Sequence, residues 1–483
     1  MKYIESFIKF EKQNNLFSLD IRGFKYWHYV RFVLYFDILN KKENLGQAHT
    51  NLSKEKYAKR LFLKLKQIPN FIFRNPMWYL KQKDLIVLNH PRKVKNGEHY
   101  ECLYTDSFLD KLNHSYYVFE QPFLEKHYKP SKTNNVRFVD YIGFRVAIHN
   151  EFMKRIFKFS LNKAEREQIE ELVDKLNSNF ETNLESKKVI NLVENLYLSY
   201  KANKKYYRKI LDKVQPRMIV NLISYSVDRH VITELAKERG IPVIELQHGT
   251  MGKFHIAYNF VEKMELNTFP DYLFVFGEFW KDTTRLPIID SKIKVVGWPY
   301  YEEKIRKYKY ENKKNDTKKT ILFVSQGTIG KKLSEMAVDI SKKINDSNYR
   351  IIYKLHPGEY ERWRTDYPWL INSNIEIIDT NNYDMHYYFA QADIQVGVYS
   401  TAIFEGLGYG LKTFIFKFYG HEYIGELYKN DLATLVLNSD EFASALEKIK
   451  NEDEETNFNV EYFWKENAIE NIINEIDLIY NGK

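Results

Sequence analysis

Short apolar runs, separated by longer segments of helical periodicity, recur through most of this 483-residue sequence. An uninterrupted apolar run is typical of a parallel strand buried on both faces, and a periodic segment between two runs is typical of the crossover helix. The rhythm therefore predicts an α/β protein with doubly wound parallel sheets. The runs are Leu85–Leu88, Tyr116–Phe119, Met218–Leu222, Val243–Leu246, Tyr272–Phe276, Thr320–Val324, Arg350–Leu355, Ile375–Ile378, Ile394–Val398 and Lys412–Phe416.

The length of the chain favours two domains, because single cores rarely grow beyond about 250 to 300 residues. A highly charged segment without apolar periodicity separates the two series of runs. We expect two Rossmann-like domains that face a cleft, with a final helix that either crosses back to the first domain or closes the second. The predicted parts are a helical N-terminal extension (1–82), a first domain (83–301), a linker (302–319), a second domain (320–460) and a C-terminal helix (461–483).

Composition excludes several classes of protein. Hydrophobic residues make up 44% of the chain, which is too many for wholesale disorder. Cys102 is the only cysteine, so an internal disulfide is excluded and a reducing compartment is expected. The N-terminus lacks the pattern of a secretory signal, and no apolar run is long enough to span a bilayer. We therefore expect a cytoplasmic protein.

Residues 51–83 hold much of the net charge of +9, with nine basic side chains against the single acid Glu55. Their apolar residues are spaced as in an amphipathic helix, which predicts contact with the inner face of the cytoplasmic membrane. The alternative is a helical hairpin packed on the first domain with solvated lysines. No nucleic-acid-binding module accompanies the charge, so no nucleic-acid partner is expected. The apolar residues are Tyr57, Leu61, Leu65, Ile68, Phe71, Phe73, Trp78 and Tyr79.

A His-Pro pair ends one strand of the second series. Proline cannot continue the ladder of hydrogen bonds, so His356 should stand at the strand tip, with Pro357 opening the turn. An imidazole there can donate a hydrogen bond to a phosphate oxygen. The alternative is a turn histidine without a ligand.

Hydroxyl side chains follow the strand Ile394–Val398 where a helix should begin. Ser400 or Thr401 at a helix start leaves backbone amides available for an anion, and Glu405, one turn later, can accept hydrogen bonds from a ribose. These residues are predicted to bind the nucleotide, although an ordinary helix cap would also explain Ser400 and Thr401.

A small turn follows the first strand of the second series. Its residues Gln326, Gly327 and Thr328 are predicted to approach the nucleotide, because glycine permits close contact between the backbone and a ligand. The spacing is not that of a P-loop. A plain turn is the alternative.

A fourth motif ends the strand Val243–Leu246 in the first domain. Gly249 allows a sharp turn that leaves His248 exposed, where it can take a proton from an acceptor hydroxyl. Gln247 and Thr250 flank the pair and are predicted to line the acceptor side. A buried histidine with satisfied hydrogen bonds is the alternative.

In chain order, four of these elements resemble the motifs of the GT-B glycosyltransferase superfamily. They are the Gln-His-Gly-Thr turn at 247–250, the Val-Val-Gly-Trp-Pro segment at 295–299, the His-Pro pair at 356–357 and the Ser-Thr-x-x-x-Glu-Gly helix start at 400–406. The resemblance covers residues 215–420. It implies a nucleotide-sugar donor in the second domain and a glycan or lipid-linked acceptor in the first.

The His-Pro and Ser-Thr motifs are similar to those of bacterial CMP-sugar transferases, which include sialyl, nonulosonic acid and Kdo transferases of capsule and lipopolysaccharide biosynthesis. They also resemble CDP-glycerol glycerophosphotransferases, although Gln247 stands where those enzymes usually have Trp. The resemblance implies that His356, Ser400 and Thr401 hold the donor phosphate and that His248 is the base. A metal-independent transfer without a cofactor is expected, with a nonulosonic acid moved from a CMP donor.

Three alternatives remain open. A UDP-sugar or CDP-polyol transferase would have the same fold. A nucleotide-sugar epimerase of the UDP-GlcNAc 2-epimerase kind would share the two domains but need no acceptor. A noncatalytic scaffold, held at a membrane by residues 51–83, would need neither substrate.

Overall fold

The structure is a computed structural model that describes residues 2–42, 66–123, 126–309, 318–344, 347–450 and 459–482. Its strands are β1 Leu85–Leu88, β2 Val94–Asn96, β3 His99–Glu101, β4 Tyr116–Glu120, β5 Val136–Phe138, β6 Met218–Asn221, β7 Val243–Leu246, β8 Tyr272–Val275, β9 Ile293–Val295, β10 Lys319–Val324, β11 Tyr349–Lys354, β12 Glu376–Ile378, β13 Ile394–Gly397, β14 Lys412–Phe416 and β15 Thr434–Val436.

The helices of the described residues alternate with these strands. They are α1 Lys2–Gln13, α2 Trp27–Lys42, α3 Asn70–Phe73, α4 Asp106–Leu109, α5 Asp140–Arg155, α6 Lys163–Phe180, α7 Ser186–Val214, α8 Val227–Lys237, α9 Glu278–Asp282, α10 Pro299–Lys309, α11 Gly330–Lys343, α12 Trp363–Asp366, α13 Met385–Gln391, α14 Thr401–Leu407, α15 Gly425–Lys429, α16 Ser439–Lys450, α17 Val460–Phe463 and α18 Ala468–Asn481.

The chain divides into two compact units. The first contains Met1–Val275, Trp280–Val296 and Ile469–Lys483, and the second contains Phe276–Phe279 and Gly297–Ala468. Each unit has a central sheet of its own.

The sheet of the first unit has seven parallel strands in the order β5-β4-β1-β6-β7-β8-β9. The sheet of the second unit has six parallel strands in the order β12-β11-β10-β13-β14-β15. In each sheet, the first three strands along the chain are added one after another from the centre to one edge. The later strands are added from the centre to the opposite edge. Such a reversal leaves a crevice at the carboxyl ends of the two central strands.

These two sheets confirm the predicted α/β class with Rossmann-like, doubly wound parallel sheets. All ten predicted strands are present within two residues of their expected bounds. Three further sheet strands, Val136–Phe138, Ile293–Val295 and Thr434–Val436, have only three residues each, so no apolar run marks them in the sequence.

The N-terminal helices α1 and α2 belong to the core of the first unit. Phe7 and Trp27 are fully buried in the cluster that also contains Ile86 and Leu88 of β1. The sequence had placed residues 1–82 in an extension, because aromatic residues in helices do not reveal which surface they cover.

Residues 302–319, predicted as a linker, are partly helical. Helix α10 continues to Lys309, β10 begins at Lys319, and residues 310–317 lie outside the described residues. Glu302 accepts a hydrogen bond from the backbone amide of Ala468 at 2.9 Å, and Lys304 pairs with Asp384 at 2.7 Å. Both charged residues of this segment therefore contact residues of their own unit.

The last helix, α18, packs in the first unit. Ile472 and Ile476 are buried with Leu85 and Val87 on the face of the sheet opposite to α1 and α2. Among the described residues, no helix is long and apolar enough to cross a membrane. Residues 51–65 of the basic segment lie outside the described residues.

Candidate functional site

In the second unit, three predicted motifs follow three neighbouring strands. Residues 326–328 follow β10, His356 follows β11, and residues 400–401 follow β13. Strands β11 and β13 both pair with β10, and adjacent strands lie about 4.8 Å apart. The ends of β11 and β13 are thus separated by roughly 10 Å, two strand spacings. All three motifs lie at the carboxyl edge of the sheet, beside its crevice.

His356 is exposed and its ring orientation is fixed by the turn that follows. The Nδ1 atom accepts a hydrogen bond from the amide of Gly358 at 3.1 Å. In the neutral ring the proton is therefore on Nε2, which makes that atom a donor. The backbone amide of His356 donates to Oε2 of Glu359 at 2.7 Å.

Glu359 joins this turn to the neighbouring strand. The carboxylate is fully buried, and its Oε1 accepts hydrogen bonds from Ser325 Oγ at 3.1 Å and from Tyr367 Oη at 2.7 Å. A buried carboxylate with several donors is held rigidly, because each broken bond would leave a charge unpaired. Glu359 therefore positions His356 relative to the end of β10.

Ser400 caps helix α14, since its Oγ accepts a hydrogen bond from the amide of Ala402 at 3.3 Å. Thr401 is the first residue of the helix. The hydroxyls of Tyr399 and Thr328 are in direct contact across the crevice between β13 and β10. The loops after these two strands therefore meet.

Two polar groups lie beside Thr328, and one of them, the guanidinium of Arg362, also pairs through Nη1 with the carboxylate of Asp366 at 3.2 Å. The Oε1 atom of Gln326 is buried and has no hydrogen-bond partner among the described residues. The guanidinium of Arg362 lies beside Gly327, where a Cβ would be 3.5 Å from Nη2, and its Nε donates to the carbonyl of Gly358. A cation at this edge favours an anionic ligand.

Glu405 has a partner within the unit. Its Oε2 lies 3.2 Å from Nε2 of His386, whose Nδ1 is 3.1 Å from the hydroxyl of Tyr409. The carboxylate predicted to bind a ribose is thus already engaged by a buried imidazole.

In the first unit, the turn after β7 carries the other predicted residues. Gln247 is buried and its Nε2 donates to the carbonyl of Gly249 at 2.8 Å, which fixes the turn. Nε2 of His248 lies 3.3 Å from the hydroxyl of Tyr225, and the carbonyl of His248 accepts a hydrogen bond from Tyr104 at 2.6 Å. Thr250 is half-buried beside them.

His248, predicted to be exposed, is half-buried, because Tyr225 and Tyr104 contact it, and its imidazole is neutral at physiological pH. Burial, with smaller effects from His255 and His90, lowers its pKa to about 3. The ring centroids of His90 and His248 are 6.3 Å apart, so protonating one ring disfavours protonating the other. A ring with so low a pKa is a weak base and holds a proton weakly.

Unpartnered polar atoms lie at the same edge of the first unit. Asn221, the last residue of β6, is fully buried, and neither atom of its amide has a partner among the described residues. Its register neighbour Glu245 has one unpartnered oxygen, and Asn89 after β1 has an unpartnered Nδ2. Buried polar groups are nearly always hydrogen-bonded, so this edge needs water or a polar ligand.

Burial raises the pKa of the Glu245 carboxyl, which accepts hydrogen bonds from the hydroxyl of Tyr258 at 2.7 Å and the amide of Ser224 at 3.0 Å. Among the described residues, no group of three or more His, Cys, Asp or Glu side chains is placed to hold a metal ion.

Sequence reasoning missed several residues at both edges. Arg362 and Tyr399 are separated in the chain from the motifs they contact, and no local pattern marks them. Asn221 and Tyr225 carried a usable signal, because Asn221 is a polar residue near the end of the predicted strand Met218–Leu222 and Tyr225 follows it, at the edge where ligands are expected.

No protein-family model matches the chain, and no curated protein matches it by sequence. Several solved structures are similar to it. The UDP-GlcNAc 2-epimerase from Methanocaldococcus jannaschii is 14% identical, with a TM-score of 0.48 over 81% of this chain and 98% of that chain. The UDP-GlcNAc 2-epimerase from Neisseria meningitidis, bound to UDP-GlcNAc, is 13% identical, with a TM-score of 0.48 over 83% and 99%. MurG from Acinetobacter baumannii is 12% identical, with a TM-score of 0.46 over 82% and 99%.

Proposed function

We propose that this protein is a GT-B-type glycosyltransferase that moves a sugar from a nucleotide-activated donor to a glycan or lipid-linked acceptor. One observation carries the proposal: His356, residues 326–328 and residues 400–401 follow three adjacent strands at the carboxyl edge of one parallel sheet. This is the edge at which doubly wound sheets bind nucleotides.

The donor phosphate is proposed to accept hydrogen bonds from Nε2–H of His356 and from the backbone amides at Ser400 and Thr401. The guanidinium of Arg362 supplies positive charge beside Gly327. Donors held in place before the reaction stabilise the negative charge that develops on the leaving nucleotide. The resemblance of the His-Pro and Ser-Thr motifs favours a CMP donor that carries a nonulosonic acid, used in bacterial surface polysaccharide synthesis.

The acceptor is proposed to bind at the edge of the first unit, where Gln247, Gly249 and Thr250 shape the turn around His248. In the transfer, the bond between the sugar carbon and the phosphate oxygen breaks, and the acceptor oxygen bonds to that carbon. The acceptor proton passes to His248 and then to solvent. Because the pKa of His248 is about 3, this proton can leave only as the new bond forms and makes the hydroxyl acidic.

The subcellular location of the protein is proposed from the nature of its acceptor. A lipid-linked acceptor lies at the inner face of the cytoplasmic membrane, and the basic residues of 51–83 are proposed to attract the protein to that anionic surface.

The nucleotide site is tested by replacing His356 with alanine. Loss of a hydrogen bond to a charged phosphate is worth about 1.5 to 3 kcal/mol, so CMP, CDP or UDP should bind roughly 10 to 100 times more weakly in calorimetric titrations. The matched control is His99→Ala, because His99 is an exposed histidine in the β2–β3 hairpin of the other unit. Equal nucleotide affinity of wild type and His356→Ala would reject the site.

A nucleotide-sugar epimerase is the second candidate, and the carboxyl of Glu245 favours it. A carboxyl whose pKa is raised by burial is suited to exchange a proton with a sugar carbon. Incubation with UDP-GlcNAc or a CMP-sugar alone distinguishes the two reactions. The transferase should give only slow hydrolysis, whereas accumulation of the epimeric sugar without any acceptor would establish the epimerase.

A further inference from the structure

Helix α5 carries a large apolar surface that the first unit leaves exposed. Ile142 is the only buried residue of this helix. Phe144, Ile148, Phe152 and Ile156 are 50%, 44%, 51% and 65% exposed. Their spacing of four residues places them along one side of the helix. This row extends for about 18 Å, at 1.5 Å per residue over 12 residues.

The exposed row continues onto the segment before β1. The ring centroid of Phe71 lies 5.4 Å from that of Phe144 and 6.0 Å from that of Tyr141, which also contacts Trp78. We call the combined patch the α5 surface. The exposed apolar residues of its two segments are Ile68, Ile72, Phe73, Trp78, Tyr79, Phe144, Ile148, Phe152, Ile156 and Phe157. Apolar patches of this size on a protein surface mark a site of interaction.

The residues that carry the α5 surface are also strongly basic. Segments 66–83 and 140–158 together contain eight basic side chains and two acidic ones, a net charge of +6 (8 minus 2). Arg155 pairs with Glu151 along the helix, which leaves Asp140 as the only other acid. The basic residues are Lys66, Arg74, Lys81, Lys83, Arg145, Lys154, Arg155 and Lys158.

Charge distinguishes among the partners that would bury this surface. A symmetric contact with a second copy would bring the same eight cations together, since a two-fold interface pairs a patch with itself. Residues 43–65 of the chain itself carry five basic and two acidic side chains, so they have the same sign as the patch. An anionic lipid surface complements both the charge and the apolar residues.

We propose that the α5 surface is a docking site for an anionic membrane. Helix α5 lies in the plane of the interface, with Phe144, Ile148 and Phe152 at the level of the upper acyl chains. Trp78 and Tyr79 occupy the headgroup region, where aromatic rings with a polar atom are favoured. Long basic side chains reach the lipid phosphates while their alkyl parts cover apolar surface.

The proposal is independent of the nucleotide site, since every residue in it belongs to the first unit. It shares residues 66–83 with the membrane contact proposed above and adds to it the apolar anchor on α5.

Vesicle flotation of the full chain tests the proposal. Wild type should float with vesicles of phosphatidylcholine containing 30% phosphatidylglycerol, and not with pure phosphatidylcholine. The triple variant Phe144→Ser, Ile148→Ser and Phe152→Ser should partition at least tenfold less. The matched control replaces three equally exposed residues, Ile289, Ile371 and Leu437, with serine and should float as wild type does. Salt at 0.5 M should weaken binding, because it screens the lipid charge.

Four results would overturn the proposal. The first is that wild type fails to float with the anionic vesicles, and the second is that the triple variant floats as well as wild type. Light scattering gives a wild-type dimer and a monomeric variant, which assigns the surface to a second copy. Crosslinking in the absence of vesicles joins residues 43–65 to α5, which assigns it to the chain itself. Urea unfolding and amide hydrogen exchange in β1 and β6 of the triple variant should match those of wild type and establish that its first unit is folded.

Discussion

Lowering the pH from 7.5 to 5.5 should reduce the free energy of unfolding of the first unit by roughly 1 to 3 kcal/mol through two buried histidines. His28 of α2 and His230 of α8 stack with ring centroids 4.3 Å apart, and both side chains are buried. Neither nitrogen of His230 has a hydrogen-bond partner among the described residues. The pair is therefore accommodated only as neutral rings.

The sign follows from the two pKa values of each histidine. Burial, opposed by Asp228, lowers the pKa of His230 to about 3, and burial together with His230 and Arg31 lowers that of His28 well below its ordinary value. In the unfolded chain both titrate near 6.5. Below that pH the unfolded state binds protons that the folded state does not, so stability is lost as the pH falls from 6.5 toward the folded values. One pH unit below 6.5 this amounts to roughly 1 kcal/mol for His230, and His28 acts in the same direction.

Urea unfolding at both pH values measures the effect, with amide hydrogen exchange in β1 and β6 reporting on the first unit. The variant His230→Leu should lose roughly 1 kcal/mol less than wild type between pH 7.5 and 5.5. The control His99→Leu removes an exposed histidine and should leave the pH dependence unchanged. An unchanged pH dependence in His230→Leu would mean that this ring is solvated or protonated in the folded protein.

The variant Glu11→Ala should lower the free energy of unfolding by about 3 to 5 kcal/mol, because it leaves a buried guanidinium without its counter-ion. Glu11 and Arg31 are 2% and 1% exposed and form a two-point ion pair of 2.7 and 2.9 Å. Arg31 also donates to the carbonyls of Ile256 and Asn259 at 2.8 and 2.9 Å. The pair therefore ties α1 and α2 to the segment that carries His255 and Tyr258.

The control for Glu11 lies on the same helix. Glu5 pairs with Arg285 at 2.6 Å, but both side chains are more than 40% exposed, so Glu5→Ala should change stability by less than about 1 kcal/mol. Unfolding in urea measures both variants. The double variant Glu11→Leu with Arg31→Met should recover most of the loss, since apolar residues of similar volume can replace a buried pair. Similar small effects for Glu5→Ala and Glu11→Ala would contradict burial of the Glu11 pair.

Much of the fold could be predicted because each strand buried on both faces of a parallel sheet is an uninterrupted apolar run in the sequence. Strands such as Leu85–Leu88 are apolar at every position, since both faces of the sheet are covered. The strands β9 and β15 could not be predicted in this way, because each has only three residues. Helix α10 was predicted as part of a linker, because its charged side chains, which form contacts within its unit, leave no apolar period in the sequence.

The candidate site was predicted only where its residues follow strands. His356 and Ser400 could be found because the sequence shows where the strand ends. Glu359 was not predicted, because its contacts with Ser325 and Tyr367 depend on tertiary packing. Buried atoms without partners, such as the amide of Asn221, are visible only in three dimensions.

The position of α18 sets an order of events during synthesis. Leu85 and Val87 leave the ribosome about 390 residues before Ile472 and Ile476, which cover them in the finished protein (476 minus 85 is 391). At 5 to 20 residues per second this interval lasts roughly 20 to 80 s. Throughout it, one apolar face of the nascent first unit remains without its final helix. We expect ribosome-associated chaperones to occupy that face until translation is nearly complete.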